Sequence, residues 1–143
     1  MSIEYASSNA IACMIDVHLK TDRKYQVMDI TSRVEEIVKH SGVSLGLCHV
    51  YVCHTTAAVT VNENADPNIG SDLVTALHRL IPEGVWQHDL IDDNGSAHIK
   101  ASMIGASEIL PVRDGKLVLG TWQAVMLVEF DGPRERQLVV TVR

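Results

Sequence analysis

The dipeptide Asp114-Gly115 carries the strongest turn signal in the chain. Such a pair accepts positive φ at its two positions, which matches the twist of two antiparallel strands joined by a tight turn. Its flanks are β-prone on both sides, over residues 108–112 before the turn and 116–119 after it. A hairpin is therefore predicted here, and the rest of the chain reads as further β pairs around it.

Residues 11–19 suit a strand, with 25–30 returning as its antiparallel partner across the turn TDRK. Ser32 and Glu35 have the spacing of a capping box, and Val34, Ile37 and Val38 give a short helix one apolar face before Gly42 ends it. From Leu45 to His54 apolar residues occupy both alternating sets, which predicts a strand buried on both faces with His54 at its exit. A second β-prone run follows through Val59 and Val61. Asp66 as cap and Pro67 at the first helical position then open a helix striped by Leu73, Val74, Leu77, Leu80 and Ile81. Ser96 is placed to cap another short helix that Gly105 ends, and residues 121–130 and 138–142 supply the closing strands. No repeat or linker interrupts the pattern. The expected architecture is α+β: a single domain over residues 1–143, rich in antiparallel sheet or sandwich, with a few short helices.

Composition narrows the function classes. The net charge of −6 and the isoelectric point near 5.5 argue against a generic binder of nucleic acid or anionic membrane, which needs a basic face, and leave room for a local basic pocket. Its first residues, MSIEYASSNA, show neither a basic start nor a long apolar run, and no later stretch is long enough to span a bilayer. Three cysteines without a CxxC pair point to thiols in a reducing compartment, and the cytoplasm is expected. A hydrophobic fraction of 46% with 21% charged residues is rich for so small a chain and favours self-association through apolar surface.

Seven histidines invite a metal argument. His18, His40 and His78 have ordinary polar neighbours, and His49 falls inside a strand, where a core role is expected. His54, His88 and His98 lie at element ends or in loops, where side chains converge on clefts. Together they make a candidate set of ligands for a divalent, zinc-like ion with an open position. Glu63 ends a β-prone run and is a candidate general base. Asn94, Gly95 and Ser96 precede a helix, so their N–H groups and hydroxyl are candidates for holding an anion. Arg134 offers a fork for phosphate or carboxylate, or else pairs with Asp131 or Glu135 in a surface turn. Trp122 and Gln123, inside a predicted strand, read as core, with the glutamine amide needing a buried partner.

The ordered set HTTAAVTVNENADP, NGSAHIKASMIG, SEILPVRDGKLVLGTWQAV and EFDGPRER resembles the YjbQ family over nearly the whole chain. That resemblance implies an α+β fold, assembly as a homotrimer, and a polar site holding His54, His88 and His98 with Glu63, Asn94, Gln123 and Arg134 lining or supporting it. It also implies the activity of a secondary thiamine-phosphate synthase, in which a pyrimidine diphosphate is joined to a thiazole phosphate with release of pyrophosphate. Magnesium is the ion expected with such a diphosphate, whereas histidine ligands favour zinc. A metal-dependent hydrolase of a small phosphorylated compound, and a non-catalytic trimeric binding module, are the other readings these residues allow.

Overall fold

A computed structural model describes residues 13–143; the N-terminal stretch discussed above, and the start of the first predicted strand, lie outside the described residues. Among the described residues eight strands form two antiparallel sheets. The larger has the order β1-β8-β3-β5-β6, from Cys13–Lys20, Glu135–Val142, Leu45–Val52, Ser107–Arg113 and Lys116–Leu117. The smaller has the order β2-β7-β4, from Gln26–Asp29, Gln123–Glu129 and Ala57–Glu63. Helices α1 (Thr31–Ser41), α2 (Pro67–Leu80) and α3 (Gly95–Ile104) complete an α+β fold, with a 3-10 turn at Gln87–Leu90.

The two sheets face each other across the main core. Cys48, Val50, Val52, Leu138, Val140 and Val142 from the larger sheet meet Ala57, Val59, Val125 and Leu127 from the smaller, and Val34 and Val38 of α1 join them. A second core covers the far side of the small sheet, where Ala58, Val128 and Phe130 pack on Leu77 and Ile81, at the end of α2, and on Ala97 and Ala101 of α3. Strand β7 therefore lies between two apolar layers, and six of its seven residues are buried.

The predicted hairpin forms at Asp114 and Gly115, with φ of 53° and 71°, although its second strand is only two residues long. Asp66 caps α2 through a 2.9 Å bond from Asn68 N, and Pro67 takes the first helical position. Other expectations are corrected. The first two strands do not pair with each other: β1 runs against β8 and β2 against β7, because the turn between them passes from one sheet to the other. Ser32 caps nothing; α1 starts at Thr31, whose N–H is taken by Asp29 Oδ1, while Glu35 accepts from Leu117 N across to β6. Leu80 is 71% exposed and leaves the α2 stripe to its neighbours.

Strand β3 is the largest departure. Its even-numbered side chains Cys48, Val50 and Val52 are buried, but Leu45, Leu47 and Tyr51 are exposed and His49 is half-buried. One face fills the core while the other, equally apolar, lies on the outside of the large sheet beside Ile109. Gly46 starts the inner row, where a Cβ would run into the Arg143 carbonyl. Among the described residues no helix is long and apolar enough to cross a membrane.

Because Phe130 is fully buried between β7 and the two helices, Phe130→Ala is expected to cost about 3–5 kcal/mol. Leu80→Ala on the exposed side of α2 should stay within about 0.5 kcal/mol. Urea denaturation of the three proteins checks the contrast.

Candidate functional site

Strand β3 leaves the sheet after Val52, and the way it leaves builds one wall of a cleft. Gln137 on β8 turns both its backbone groups towards β3. Its carbonyl accepts from Cys53 N at 3.0 Å, but its N–H donates to His54 Nε2 at 2.8 Å. The imidazole thus occupies the place of the next backbone rung. Thr55 and Thr56 continue the wall, and Thr56 is fixed by Phe130 N donating to its carbonyl and by Arg136 donating to its hydroxyl at 2.8 Å.

Beneath that wall lies a buried ion pair. Glu129 and Arg136, 0% and 3% exposed, join the end of β7 to the start of β8. Arg136 Nε donates to Glu129 Oε2 at 2.7 Å and Nη2 reaches Oε1 and Thr56. Glu129 Oε1 also accepts from Asp131 N, and Oε2 from the Thr21 hydroxyl, which in turn accepts from Arg134 N. The loop from Asp131 to Arg134 is therefore held at its backbone from both sides.

The side chains of that loop form the second wall. Asp131 Oδ2 accepts from Asn94 Nδ2 at 3.0 Å and from Arg134 Nη2 at 2.7 Å. Burial pulls the Asp131 carboxyl upward, but these two donors outweigh it and hold the group below the usual aspartate range. Arg134 is half-exposed and also donates Nε to the Asp131 carbonyl, so its turn-pairing reading is the one realised. With His98, Asp92 and Glu135, these residues line an open cleft of about 740 Å³. A larger groove of about 940 Å³ runs between α1 and the Asp114–Lys116 turn, but none of the histidine and arginine cluster lines it.

Several predicted site residues fall elsewhere. Gly95 N is already taken by Asp89 Oδ1 at 2.8 Å, and Ser96, 3% exposed, donates its hydroxyl to the Ile81 carbonyl instead of capping the helix. Of the proposed anion cradle only Asn94, the actual cap residue, reaches the cleft. Glu63 and Gln123 face each other across β4 and β7, six residues from the Ala57 and Glu129 pair. At a rise of about 3.4 Å per residue that is roughly 20 Å from the His54 end. Gln123 is exposed and its Oε1 closes a turn by accepting from Gly120 N, while Trp122 is 64% exposed and forms no part of the core. Lys100 lies fully buried with Nζ over the Tyr25 ring, away from the cleft lining.

The three histidines do not form one ligand set. The rings of His88 and His98 meet edge to face at 4.7 Å, and His88 Nε2 is 3.7 Å from Asp92 Oδ2. Among the described residues, His88 Nε2 and Asn94 Oδ1 are buried without a hydrogen-bond partner. His54 stands on the other wall with its Nε2 already accepting a hydrogen bond, so that lone pair is not open to a metal. Among the described residues no group of three or more His, Cys, Asp or Glu side chains is arranged to hold an ion. As arranged, the donor set does not fit a three-imidazole zinc centre. Sequence reasoning missed Glu129 and Arg136 and named Asp131 only as a turn partner of Arg134; the signal available was the charge alternation of EFDGPRER, which places an acid and a base on either side of a tight turn.

Burial, and then the nearby Arg136 guanidinium, hold the His54 pKa below the ordinary histidine value. A depressed folded-state pKa means that the unfolded chain takes up the proton more readily. The contribution of neutral His54 is therefore complete above about pH 6.5 and is lost as the pH falls through the lower folded value. Stability of the native chain should decline over that window, and His54→Asn should flatten the decline; urea midpoints at pH 7.5, 6 and 5 measure both.

The sequence profile described as "UPF0047 protein YjbQ-like" matches residues 15–143. The UPF0047 protein MJ1081 of Methanocaldococcus jannaschii is 39% identical over 92% of this chain and 95% of its own. YugU of Bacillus subtilis is 40% identical over 84% of this chain and 91% of its own. Among solved structures, a YbjQ-like protein from Sulfolobus solfataricus superimposes with a TM-score of 0.88 at 43% identity, covering 91% of this chain and 95% of that one. The Aeropyrum pernix protein APE1520 gives 0.86 at 45% identity, covering 91% and 97%. With the profile spanning all but the first residues and relatives aligned over most of both chains, this protein belongs to the YjbQ-like UPF0047 family.

Proposed function

We propose that the chain is an enzyme acting on a small phosphorylated compound bound in the cleft between His54 and Arg134, in a reaction of the thiamine-phosphate-synthase type. The observation that carries this reading is the convergence on one cleft of His54, Asn94, His98, Asp131 and Arg134, which come from three separate stretches of sequence. Cationic and N–H donors for phosphoryl oxygens stand beside the His98 imidazole, a side chain of the type that moves protons. The Arg134 guanidinium is half-exposed and faces the cleft, and its partner Asp131 also holds a bond from Asn94. Arg134 can therefore turn a donor to a phosphate oxygen while Asp131 keeps a second partner.

In the proposed reaction the thiazole nitrogen forms a bond to the pyrimidine methylene carbon as the carbon–oxygen bond to diphosphate breaks, and pyrophosphate leaves with the electron pair. Arg134 and His54 would hold the departing oxygens. A magnesium ion would enter with the diphosphate and neutralise its charge, and Asp92 and Asp131 are hard oxygen donors of the type it accepts. A phosphomonoester or diphosphate hydrolase would use the same donors with water in place of the thiazole.

Pyrophosphate release from the pyrimidine diphosphate and thiazole phosphate, with magnesium, tests the synthase form. Turnover is expected, with kcat/KM lowered about 10- to 100-fold by His98→Ala or Arg134→Ala. No coupled product, but phosphate released from simple esters, would replace the transferase with the hydrolase; binding without either would leave a ligand-binding module.

We also propose that the working form is a homotrimer. Support comes from the outer face of the large sheet, where Leu47, Tyr51 and Ile109 are exposed on the neighbouring strands β3 and β5, and Met14 on β1 across the intervening β8. Contiguous apolar surface of that kind is uncommon on a monomer. Analytical ultracentrifugation should give three times the chain mass, and Ile109→Lys should shift the protein towards monomer with its fold retained. A native chain sedimenting as a monomer would remove the trimer.

A further inference from the structure

The bond between Gln137 and His54 decides more than the shape of the wall. A backbone N–H can only donate, so at 2.8 Å the facing Nε2 must present its lone pair. The ring has three protonation states. With the proton on Nε2, or with both nitrogens protonated, two donors would point at each other. Only the neutral form with its proton on Nδ1 satisfies both partners. The surroundings act in the same direction, since burial and the Arg136 and Arg134 guanidiniums oppose the imidazolium, with Glu129 favouring it more weakly than Arg136 opposes it. Nδ1 itself has no protein partner among the described residues and is not sealed off, and its ring lines the cleft.

We propose that His54 is a fixed hydrogen-bond donor, held by the Gln137 N–H as the neutral Nδ1–H tautomer, and that it presents this N–H to a phosphoryl oxygen of the cleft's ligand. The inference about the tautomer stands on the free protein; the inference about its ligand rests on the phosphorylated-compound reading above. His54 then acts neither as a metal ligand through Nε2 nor as a general base. Taking up a proton at Nε2 would break the bond that orients the ring. Proton transfer in the cleft is left to His98, whose ring meets that of His88 edge to face.

The test is a two-bond proton–nitrogen correlation spectrum of protein labelled with nitrogen-15 histidine, at pH 7.5, with His54→Asn identifying the His54 signals. The expected pattern has a protonated Nδ1 and a bare Nε2. A protonated Nε2, alone or with Nδ1, overturns the proposal whatever binds in the cleft. Inorganic phosphate is then titrated. Saturable shifts at both His54 and His98 are expected, with binding about 10-fold weaker in His54→Leu. Binding in His54→Asn should stay within about 3-fold of the native protein, because that variant keeps an amide N–H near the Nδ1 position; circular dichroism confirms that both variants are folded. Shifts at His98 with none at His54 overturn the donor role and leave the phosphorylated-ligand reading standing. No shift at either residue overturns that reading and the donor role with it.

Discussion

The buried pair of Glu129 and Arg136 is the interaction on which the functional end of the molecule depends. Glu129 is fully enclosed and Arg136 nearly so, and between them they engage Thr21, Thr56 and the backbone of Asp131. Net of desolvation such a pair adds little stability over an apolar substitute, yet removing one partner strands a charge at a cost of about 3–5 kcal/mol. Its value here is directional. Every oxygen and N–H it uses belongs to a different stretch of chain, so a cleft made from loops acquires the positional definition usually found in strands.

That definition has an architectural source. The two sheets are tied at the β7 to β8 connection, which passes from the small sheet to the large one through the Asp131 to Arg134 turn. The exit of β3 and the start of α3 reach the same end of the sandwich. His54 comes from the large sheet, Asp131 and Arg134 from the crossing, and Asn94 and His98 from α3 packed over the small sheet. The cleft is thus the place where three layers meet, and sequence neighbours such as Glu63 are carried to the other end by the length of a strand.

How much of this could be read from the sequence follows from whether the signal is local. The Asp114-Gly115 turn, the Asp66-Pro67 helix start and the β-prone runs at 108–112 and 138–142 are decided by neighbouring residues, and they appear in the turn, in α2 and within β5 and β8. Strand pairing is not local. TDRK has the composition of a hairpin turn, but the apolar surface of β2 is better covered against β7, and tertiary packing overrides turn propensity. The site divides in the same way. His54, His98, Asn94 and Arg134 could be chosen because they sit at element ends. The fate of Gly95 depended on Asp89, and that of Gln123 on Gly120, contacts that only the folded backbone creates.

Strand β3 carries apolar residues on both faces, and such a strand has a weakly specified register, because sliding it by one residue exchanges one greasy row for another. Hydrophobic burial alone would hardly distinguish Cys48, Val50 and Val52 from Leu47, His49 and Tyr51 as the inner row. Two contacts at its ends make the distinction. At the start, only Gly46 fits against the Arg143 carbonyl, and a one-residue slide would drive a leucine into it. At the finish, His54 must meet the Gln137 N–H, and the same slide would leave that N–H bare. The residue that shapes the cleft is therefore also a ratchet pawl for the sheet, and a chain that has mispaired its central strand cannot assemble the site.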